Sequence, residues 1–449
     1  MDSNTQKNPE EHVKQVEQIN QVKKQSTRQE IKKQQIDELN KKIDNNDLNL
    51  NYFILRYGEI GTKSRQTMHR FERLLAKNIK SVCEMHNFKV NVYLLHTRLL
   101  VATEEQNTDK LKDLLARTPG IVSFSPCTVI MEPTIEKIKE KAFEEVEKRL
   151  NDKNNNNNNN NNKNNNKNNN TKETTFRIKT QRMQKKFPMN SLEVNMAVGG
   201  EMGGKYNLKV DLVSPDISID IELLNDYSFI FSERFEGIGG LPVGTQGKVL
   251  VLTSDGIDSP VSAFMMAKRG CKLVLLHMKT SEEGSEKVQK LVEILKDYDP
   301  SLKYIEVDFK ETLGDIKDNL IELKKEKYTC VFCKRKMLKI AEKFAYKYKC
   351  DAVVNGDNMG QVASQTLKNL RVISSCTNLQ VLRPLIGFDK VEIMRLADKI
   401  GTLKISTSKE LHCFAVPKFP ATDARENEIN NIEELLLKKE SEQKEQEEN

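Results

Sequence analysis

The apolar positions of this 449-residue chain fall into three successive patterns, each predicting a different arrangement of elements. In the first, Tyr52-Phe53-Ile54-Leu55-Arg56-Tyr57 carries an alternating apolar face and reads as a strand. A helix follows over 64–83, then strands over 89–95 and 98–102, a helix over 109–116 and a strand over 120–124. That β-α-β-β-α-β order predicts a ferredoxin-like fold. The second pattern has a helix over 134–150, a strand over 175–180, a helix over 191–201 and strands over 208–212, 217–223 and 228–233, an α+β arrangement. Gly237, Gly239, Gly240 and Pro242 mark a hinge. Beyond it, strands over 249–252, 273–277, 304–307 and 352–354 alternate with helices over 261–268, 285–297 and 337–348. This third pattern predicts a doubly wound α/β domain with a parallel sheet, whose ligands sit at the C-terminal strand ends.

Composition adds what surrounds these patterns. Residues 1–50 are rich in Gln, Lys, Asn and Glu, carry 9 basic and 9 acidic residues, and are expected to form a disordered polar arm that buries too little to offset its ordering entropy. Residues 151–172, almost pure Asn with Lys interruptions, read as a disordered insert within a domain. Residues 426–449, with 9 acids and 3 bases, read as an acidic tail. The whole chain is +7, so residues 51–425 carry about +13, which favours a polyanionic partner, with a solvated basic surface as the plainer alternative. No apolar run reaches 18 residues and the N-terminus lacks an apolar signal core, so no membrane association, no secretion and a cytoplasmic location are expected. Eight cysteines in a chain of this length are too sparse for a disulfide framework; a Cys-x-x-Cys then means metal or redox chemistry.

Candidate chemistry begins where the strand at 248–253 enters Ser254-Asp255-Gly256-Ile257-Asp258-Ser259-Pro260 and then a helix. Small residues there let backbone N–H groups approach an anion, Ser254 and Ser259 offer hydroxyls, and the helix N-terminus carries partial positive charge. The pattern of a pyrophosphate-binding loop fits, whereas the Walker and dinucleotide spacings are missing. An ordinary Ser/Asp/Gly turn is the alternative.

Six stretches, in order, resemble the tRNA 4-thiouridine synthetases of ThiI type: Arg56-Tyr57-Gly58-Glu59-Ile60, Gly120-Ile121-Val122-Ser123-Phe124-Ser125-Pro126, Gly239-Gly240-Leu241-Pro242-Val243-Gly244-Thr245, Gly256-Ile257-Asp258-Ser259-Pro260-Val261, Gly360-Gln361-Val362-Ala363-Ser364-Gln365-Thr366 and Leu382-Arg383-Pro384-Leu385-Ile386. The resemblance covers roughly residues 52–420. It implies a ferredoxin-like domain over 51–126, a THUMP RNA-binding domain over 127–237 and an adenine nucleotide alpha hydrolase-like pyrophosphate-loop domain over 245–425. It also implies ATP-dependent activation of the uridine at tRNA position eight, release of pyrophosphate, and displacement of AMP by sulfur to give 4-thiouridine. Asp258 would orient the phosphates or hold Mg²⁺, with helix capping as the bland alternative. Lys390 resembles the family's catalytic lysine, a charge suited to the α-phosphate, although most lysines at helix starts are merely solvated. Leu252, Thr253, Ser254, Gly256, Ser259, His277, Met278, Gly356 and Gln365 would line the nucleotide, and Lys334 and Arg335 would contact phosphate. The chain departs from the family at Asp255, where Gly is usual, and at Asp357, where Glu is common. An acid at Asp255 would weaken ATP binding unless it points away or joins the Mg²⁺ shell.

Cys330-Val331-Phe332-Cys333 precedes a helix expected near Lys334, and Cys413 lies beyond Lys390. The resemblance identifies Cys413 as a sulfur-handling residue. Residues 414–449 are too few for the rhodanese domain of some members, and members without it pair a Cys-x-x-Cys with that cysteine to hold an iron–sulfur cluster. Zinc with His412 as fourth ligand, a redox dithiol, or a chance pair with no metal are the alternatives. Cys83, Cys127, Cys271, Cys350 and Cys376 read as core thiols. Arg177 and Lys179, alternating on a strand, with Arg182, Lys185 and Lys186 beyond, offer a phosphate-tracking surface for tRNA. The expected partners are therefore tRNA and a sulfur donor, either hydrosulfide or a cysteine desulfurase persulfide; the resemblance also admits a homodimer. Two other functions stay open, a non-catalytic THUMP protein that only binds tRNA and a sulfur carrier for thiamine thiazole synthesis.

Overall fold

The computed structural model describes residues 37, 39–41, 50–95, 97–161, 173–224, 226–409 and 412–447. They divide into two compact units, one drawn from Met1–Arg56, Phe88–Asp113 and Ser123–Glu236 and the other from Tyr57–Asn87, Leu114–Val122 and Gly237–Asn449.

The first unit is built on one mixed sheet. Its strands are β1 (Leu50–Arg56), β2 (Asn91–Leu95), β3 (Arg98–Glu104), β4 (Ser123–Met131), β5 (Thr175–Arg182), β6 (Lys209–Val210), β7 (Ile217–Leu224), β8 (Tyr227–Phe231) and β9 (Phe235–Glu236). They lie in the order β2-β3-β1-β4-β8-β7-β5-β6, with β9 also on β4. β4 is shared between the two predicted modules: Ser123 to Cys127 pair with β1, and Thr128 to Met131 pair with β8. A boundary at 126/127 thus falls inside a continuous strand, in which Pro126 sits opposite Phe53 on β1. The alternation of Phe176, Ile178 and Thr180 turns those side chains inward, where Phe176 and Ile178 pack with Val194, Val198 and Met202 of the helix Ser191–Tyr206. That helix starts at a capping box, Asn190 accepting from Glu193 N while Glu193 bonds back to Asn190 N.

Three expectations from composition are revised. Most of the N-terminal arm lies outside the described residues, but Leu39 is fully buried among Ile54, Tyr227 and Phe229, and the Tyr227 hydroxyl donates to Asn40 at 2.8 Å. An apolar residue in a polar arm has found a sheet surface to cover. The helix begun at Ile135 runs on to Asn161, through the first half of the Asn-rich stretch; residues 162–172 of that insert lie outside the described residues. The acidic C-terminal stretch is the helix Glu426–Glu447, with Ile429 and Ile432 buried in the core of the second unit. Its charge disguised a helix with an apolar stripe.

The second unit contains a parallel sheet of β10 (Lys248–Thr253), β11 (Lys272–Lys279), β12 (Lys303–Asp308), β13 (Ala352–Val354) and β14 (Gln380–Leu382), in the order β12-β11-β10-β13-β14. Alternate residues feed two cores. Leu250, Val274 and Leu276 enter one, with Phe309, Tyr328 and Leu338; Val249, Val251, Leu273 and Leu275 enter the other, with Val261, Phe264 and Val292. Both faces are covered, as the continuous apolar strands require. The chain proceeds from β10 to β11 on one side and returns to β13 on the other, so a crevice opens at the C-terminal end of β10 where the strand order reverses.

Candidate active site

The crevice is lined by the turn between β10 and the helix Asp258–Lys268. Ser259 braces that turn: its hydroxyl donates to Ser254 O at 3.0 Å and accepts from Ser254 N at 2.9 Å. The Ser259 proton is thus used within the loop. Gly256 N lies 3.4 Å from Ser254 Oγ, and its carbonyl accepts from Ser406 Oγ at 3.1 Å. Gly356, just after β13, must be glycine, because a Cβ there would lie 2.9 Å from Ser259 N and 3.0 Å from Asp258 C. This close approach brings the end of β13 against the start of the helix.

Asp258 opens that helix and Lys390 opens the helix Lys390–Lys399, which Asp389 and Glu392 fix with a capping box. The Lys390 ammonium is 2.7 Å from Asp258 Oδ1, and Gln361 Nε2 is 3.5 Å from Oδ2. Lys390 is therefore a helix-start lysine and also a member of the site. Asp255 does not add free charge to the crevice. Its carboxylate pairs at 3.4 Å with Lys287, an ammonium buried in the fold.

A second charged group follows β13. Asp357, 4% exposed, accepts from Lys334 at 2.6 Å, from Arg383 at 3.2 Å and from Gln365 at 3.3 Å. Burial opposes its charge, but Lys334 and then Arg383 outweigh burial and hold its carboxyl below the ordinary value. His277, opposite Thr253 in the β10–β11 register, donates from Nδ1 to the Thr253 carbonyl at 2.9 Å. Its Nε2 is buried without a partner among the described residues, as is Gln365 Oε1. Each leaves a buried acceptor open to a further hydrogen bond. Thr253 turns its hydroxyl back to Val251 O, and Met278 and Leu252 give their side chains to the packing around the first core.

Arg335 does not join the site. Its guanidinium is buried, donating to Val372 O at 2.6 Å and Ser375 Oγ at 3.1 Å and pairing with Glu433 at 2.6 Å. It holds the C-terminal helix to the domain, a role that phosphate affinity alone could not reveal. Lys334, one residue earlier, points to Asp357 instead.

The helix expected near Lys334 begins at Thr329, so Cys330 and Cys333 lie within its first turns, three residues apart on one side. Burial raises the Cys330 thiol, and the neighbouring Cys413 raises it further; burial, Cys413 and Cys330 push Cys333 up to about 12. The three sulfurs are thus electrostatic neighbours with Cys413 exposed, although among the described residues no group of three His, Cys, Asp or Glu side chains is drawn together tightly enough to hold a metal ion. Of the other cysteines, Cys83, Cys271 and Cys350 are buried and Cys127 and Cys376 partly so, all with thiols raised chiefly by burial.

On the first unit, Arg177 donates to Leu212 O and Ser218 Oγ, and Arg182 donates to Phe187 O at 2.8 Å. Lys186 pairs with Asp226, whereas Lys179 and Lys185 are exposed without an ion-pair partner among the described residues. Two of the five basic groups are thus wholly available, and the arginines are braced by their neighbours. Arg383 and Gln361 belong to the site, and Lys287 and Ser406 brace its loop from behind; none of the four was singled out from the residue pattern.

Comparison with known proteins decides the family. Residues 244–437 match the family described as thiamine biosynthesis protein (ThiI), 52–125 its ferredoxin-like domain and 132–233 the THUMP domain. The chain is 49% identical over 390 residues, 85% of it and 96% of the relative, to a Methanocaldococcus jannaschii protein named "Probable tRNA sulfurtransferase". This chain belongs to the ThiI-type tRNA sulfurtransferases. A Thermococcus kodakarensis sulfurtransferase of the same name is 38% identical, over 85% of this chain and 96% of the relative. A solved 4-thiouridine synthetase in complex with RNA and bound ATP is 31% identical with a TM-score of 0.71, covering 86% of this chain and 94% of that one. The expected fold, a ferredoxin-like part, a THUMP part and a doubly wound pyrophosphate-loop domain, is the one found. Among the described residues no helix is long and apolar enough to cross a membrane.

Proposed function

We propose that this sulfurtransferase binds ATP at the β10 crevice, adenylates the O4 of uridine at tRNA position eight with release of pyrophosphate, and lets sulfur displace AMP to give 4-thiouridine. The observation that carries this reading is the Lys390–Asp258 pair at 2.7 Å beside a braced Ser254–Ser259 turn. The ATP and RNA of the related 4-thiouridine synthetase support it.

The helix N-terminus and the backbone N–H groups around Gly256 offer donors to phosphate oxygens. Lys390 supplies a fixed positive charge where negative charge grows as the α-phosphate is attacked, and stabilisation of that kind is worth about 3 kcal/mol. Asp258 would hold Mg²⁺ through its carboxylate, an oxygen donor suited to a hard cation shared with phosphate. Lys334, placed by Asp357, adds a second cation. His277, its Nδ1–H committed to Thr253 O, presents an Nε2 lone pair that accepts from an N–H of the bound nucleotide. On the other unit, Lys179, Lys185 and Lys186 hold tRNA phosphates, with Arg177 and Arg182 beside them.

Cys330, Cys333 and Cys413 would hold an iron–sulfur cluster, a donor set of three thiolates that suits such a group and that also suits delivery of sulfur. Burial keeps the Cys330 and Cys333 thiols protonated at neutral pH, so binding there releases protons. With hydrosulfide as donor, anaerobic protein, unmodified tRNA, ATP and Mg²⁺ should yield AMP, pyrophosphate and 4-thiouridine in equal amounts. Formation of 4-thiouridine with ADP instead of AMP would reject the adenylation.

A further inference from the structure

Lys287 lies in the helix Glu282–Lys296, among Val288, Leu291 and Leu295, which face the core. At such a place a lysine would ordinarily reach out to water. Lys287 is instead 9% exposed, and its ammonium meets three acceptors: Asp255 Oδ2 at 3.4 Å, Ser406 O at 3.1 Å and Lys409 O at 2.8 Å. An ammonium has three N–H groups, and each finds an acceptor here, with one carboxylate to balance the charge.

These acceptors come from two places in the chain. Asp255 belongs to the pyrophosphate loop, while Ser406 ends the short helix Leu403–Ser406 and Lys409 lies just beyond it on the way to Cys413. Ser406 ties the same two places a second time through its hydroxyl on Gly256 O at 3.1 Å. Cys413 is four chain steps beyond Lys409, a span of at most about 14 Å, so anchoring the Lys409 carbonyl limits where the Cys413 thiol can stand. The position where the family usually has Gly then acquires a reason: Asp255 is the counter-charge of a buried lysine.

We propose that Lys287 is a positioning residue that couples the nucleotide-holding loop to the segment bearing Cys413, so that the thiol is in place when the uridine has been activated. The proposal rests on the adenylation reading. Without the ammonium, the loop still binds ATP through its own N–H groups and Lys390, and adenylation proceeds. Sulfur then fails to reach C4 in time. Water attacks instead: a C4–O bond to water forms, the C4–O bond to phosphate breaks, AMP leaves, a proton goes to solvent, and uridine is regenerated.

The test uses the full-length, anaerobically purified protein with tRNA, ATP, Mg²⁺ and hydrosulfide, and reads pyrophosphate released per 4-thiouridine formed. The wild type should give a ratio near one. Lys287→Met, which keeps the stem and removes the charge, should raise the ratio at least tenfold on a fold shown intact by its circular dichroism; Lys287→Arg should bring it back to within threefold of wild type. Asp255→Asn, which keeps the shape and removes the counter-charge, should also raise it. If Lys287→Met loses pyrophosphate release and thiolation in parallel, or keeps both, the ratio stays at the wild-type value and the coupling is overturned. Wild-type protein that forms 4-thiouridine without pyrophosphate would overturn the adenylation reading and the coupling together.

Discussion

Lys390 and Asp258 stand at the first positions of two helices far apart in the chain, and their charged groups meet at 2.7 Å. The Lys390 helix does not need this pair for its own start, since it has the Asp389–Glu392 capping box. An ion pair of partly exposed groups contributes little stability, and the proposed function gives it the task of placing charge at the phosphates.

Removing that charge should therefore affect chemistry more than folding or recognition. Lys390→Ala and Asp258→Ala are each expected to lower thiolation by about two orders of magnitude or more. Binding of tRNA, measured by filter retention, should stay within about twofold, because the basic strand β5 is untouched. Thiolation at the wild-type rate in either variant would remove the pair from the catalytic machinery.

Asp357 gives a pH-dependent signature. Its carboxyl is held below the ordinary value of 3.8, so its pairing with Lys334 and Arg383 stabilises the fold fully above that value and is lost as pH falls through the depressed folded pKa. At neutral pH Asp357→Asn leaves two cations without their counter-charge and should cost about 3–5 kcal/mol. The melting-temperature gap between wild type and variant should be at full width above about pH 5 and should narrow progressively as pH falls below the ordinary carboxyl value of 3.8. A gap that widens with acid would contradict the assignment.

Much of this was legible before the structure. The strands of the parallel sheet announced themselves as apolar runs, and a Ser/Asp/Gly turn at a strand end in a doubly wound fold already located the crevice. What stayed hidden depended on contacts between distant residues. Lys287 looked like any lysine of an amphipathic helix, and only its three acceptors distinguish it. Arg335 had the right chemistry for phosphate and was drawn instead to Glu433 of a helix whose acidic composition concealed Ile429 and Ile432. The Cys-x-x-Cys helix began five residues sooner than expected, at Thr329, because the pattern of apolar residues becomes regular only near Met337.

The three cysteines predict a cofactor. Anaerobic purification should give iron and labile sulfide together, and Cys330→Ala, Cys333→Ala or Cys413→Ala should each lose both along with thiolation. Stoichiometric zinc without labile sulfide would reject the cluster. Retained thiolation in Cys330→Ala beside its loss in Cys413→Ala would assign sulfur transfer to a persulfide on Cys413 alone.

For the RNA, Lys179→Ala, Lys185→Ala and Lys186→Ala combined should weaken tRNA binding and flatten its dependence on salt, by about 0.7–0.9 in slope for each phosphate contact removed. Arg177 and Arg182 are left in place, since both also brace the backbone of their own module. An unchanged salt slope would put the RNA on another surface.

The central claim, that this chain makes 4-thiouridine in tRNA, is tested most directly by mass analysis of nucleosides from total tRNA of cells with and without its gene. The account predicts 4-thiouridine at position eight in the first and none in the second, with recovery on re-expression of the wild type and not of Lys390→Ala. Equal 4-thiouridine in both strains would contradict it.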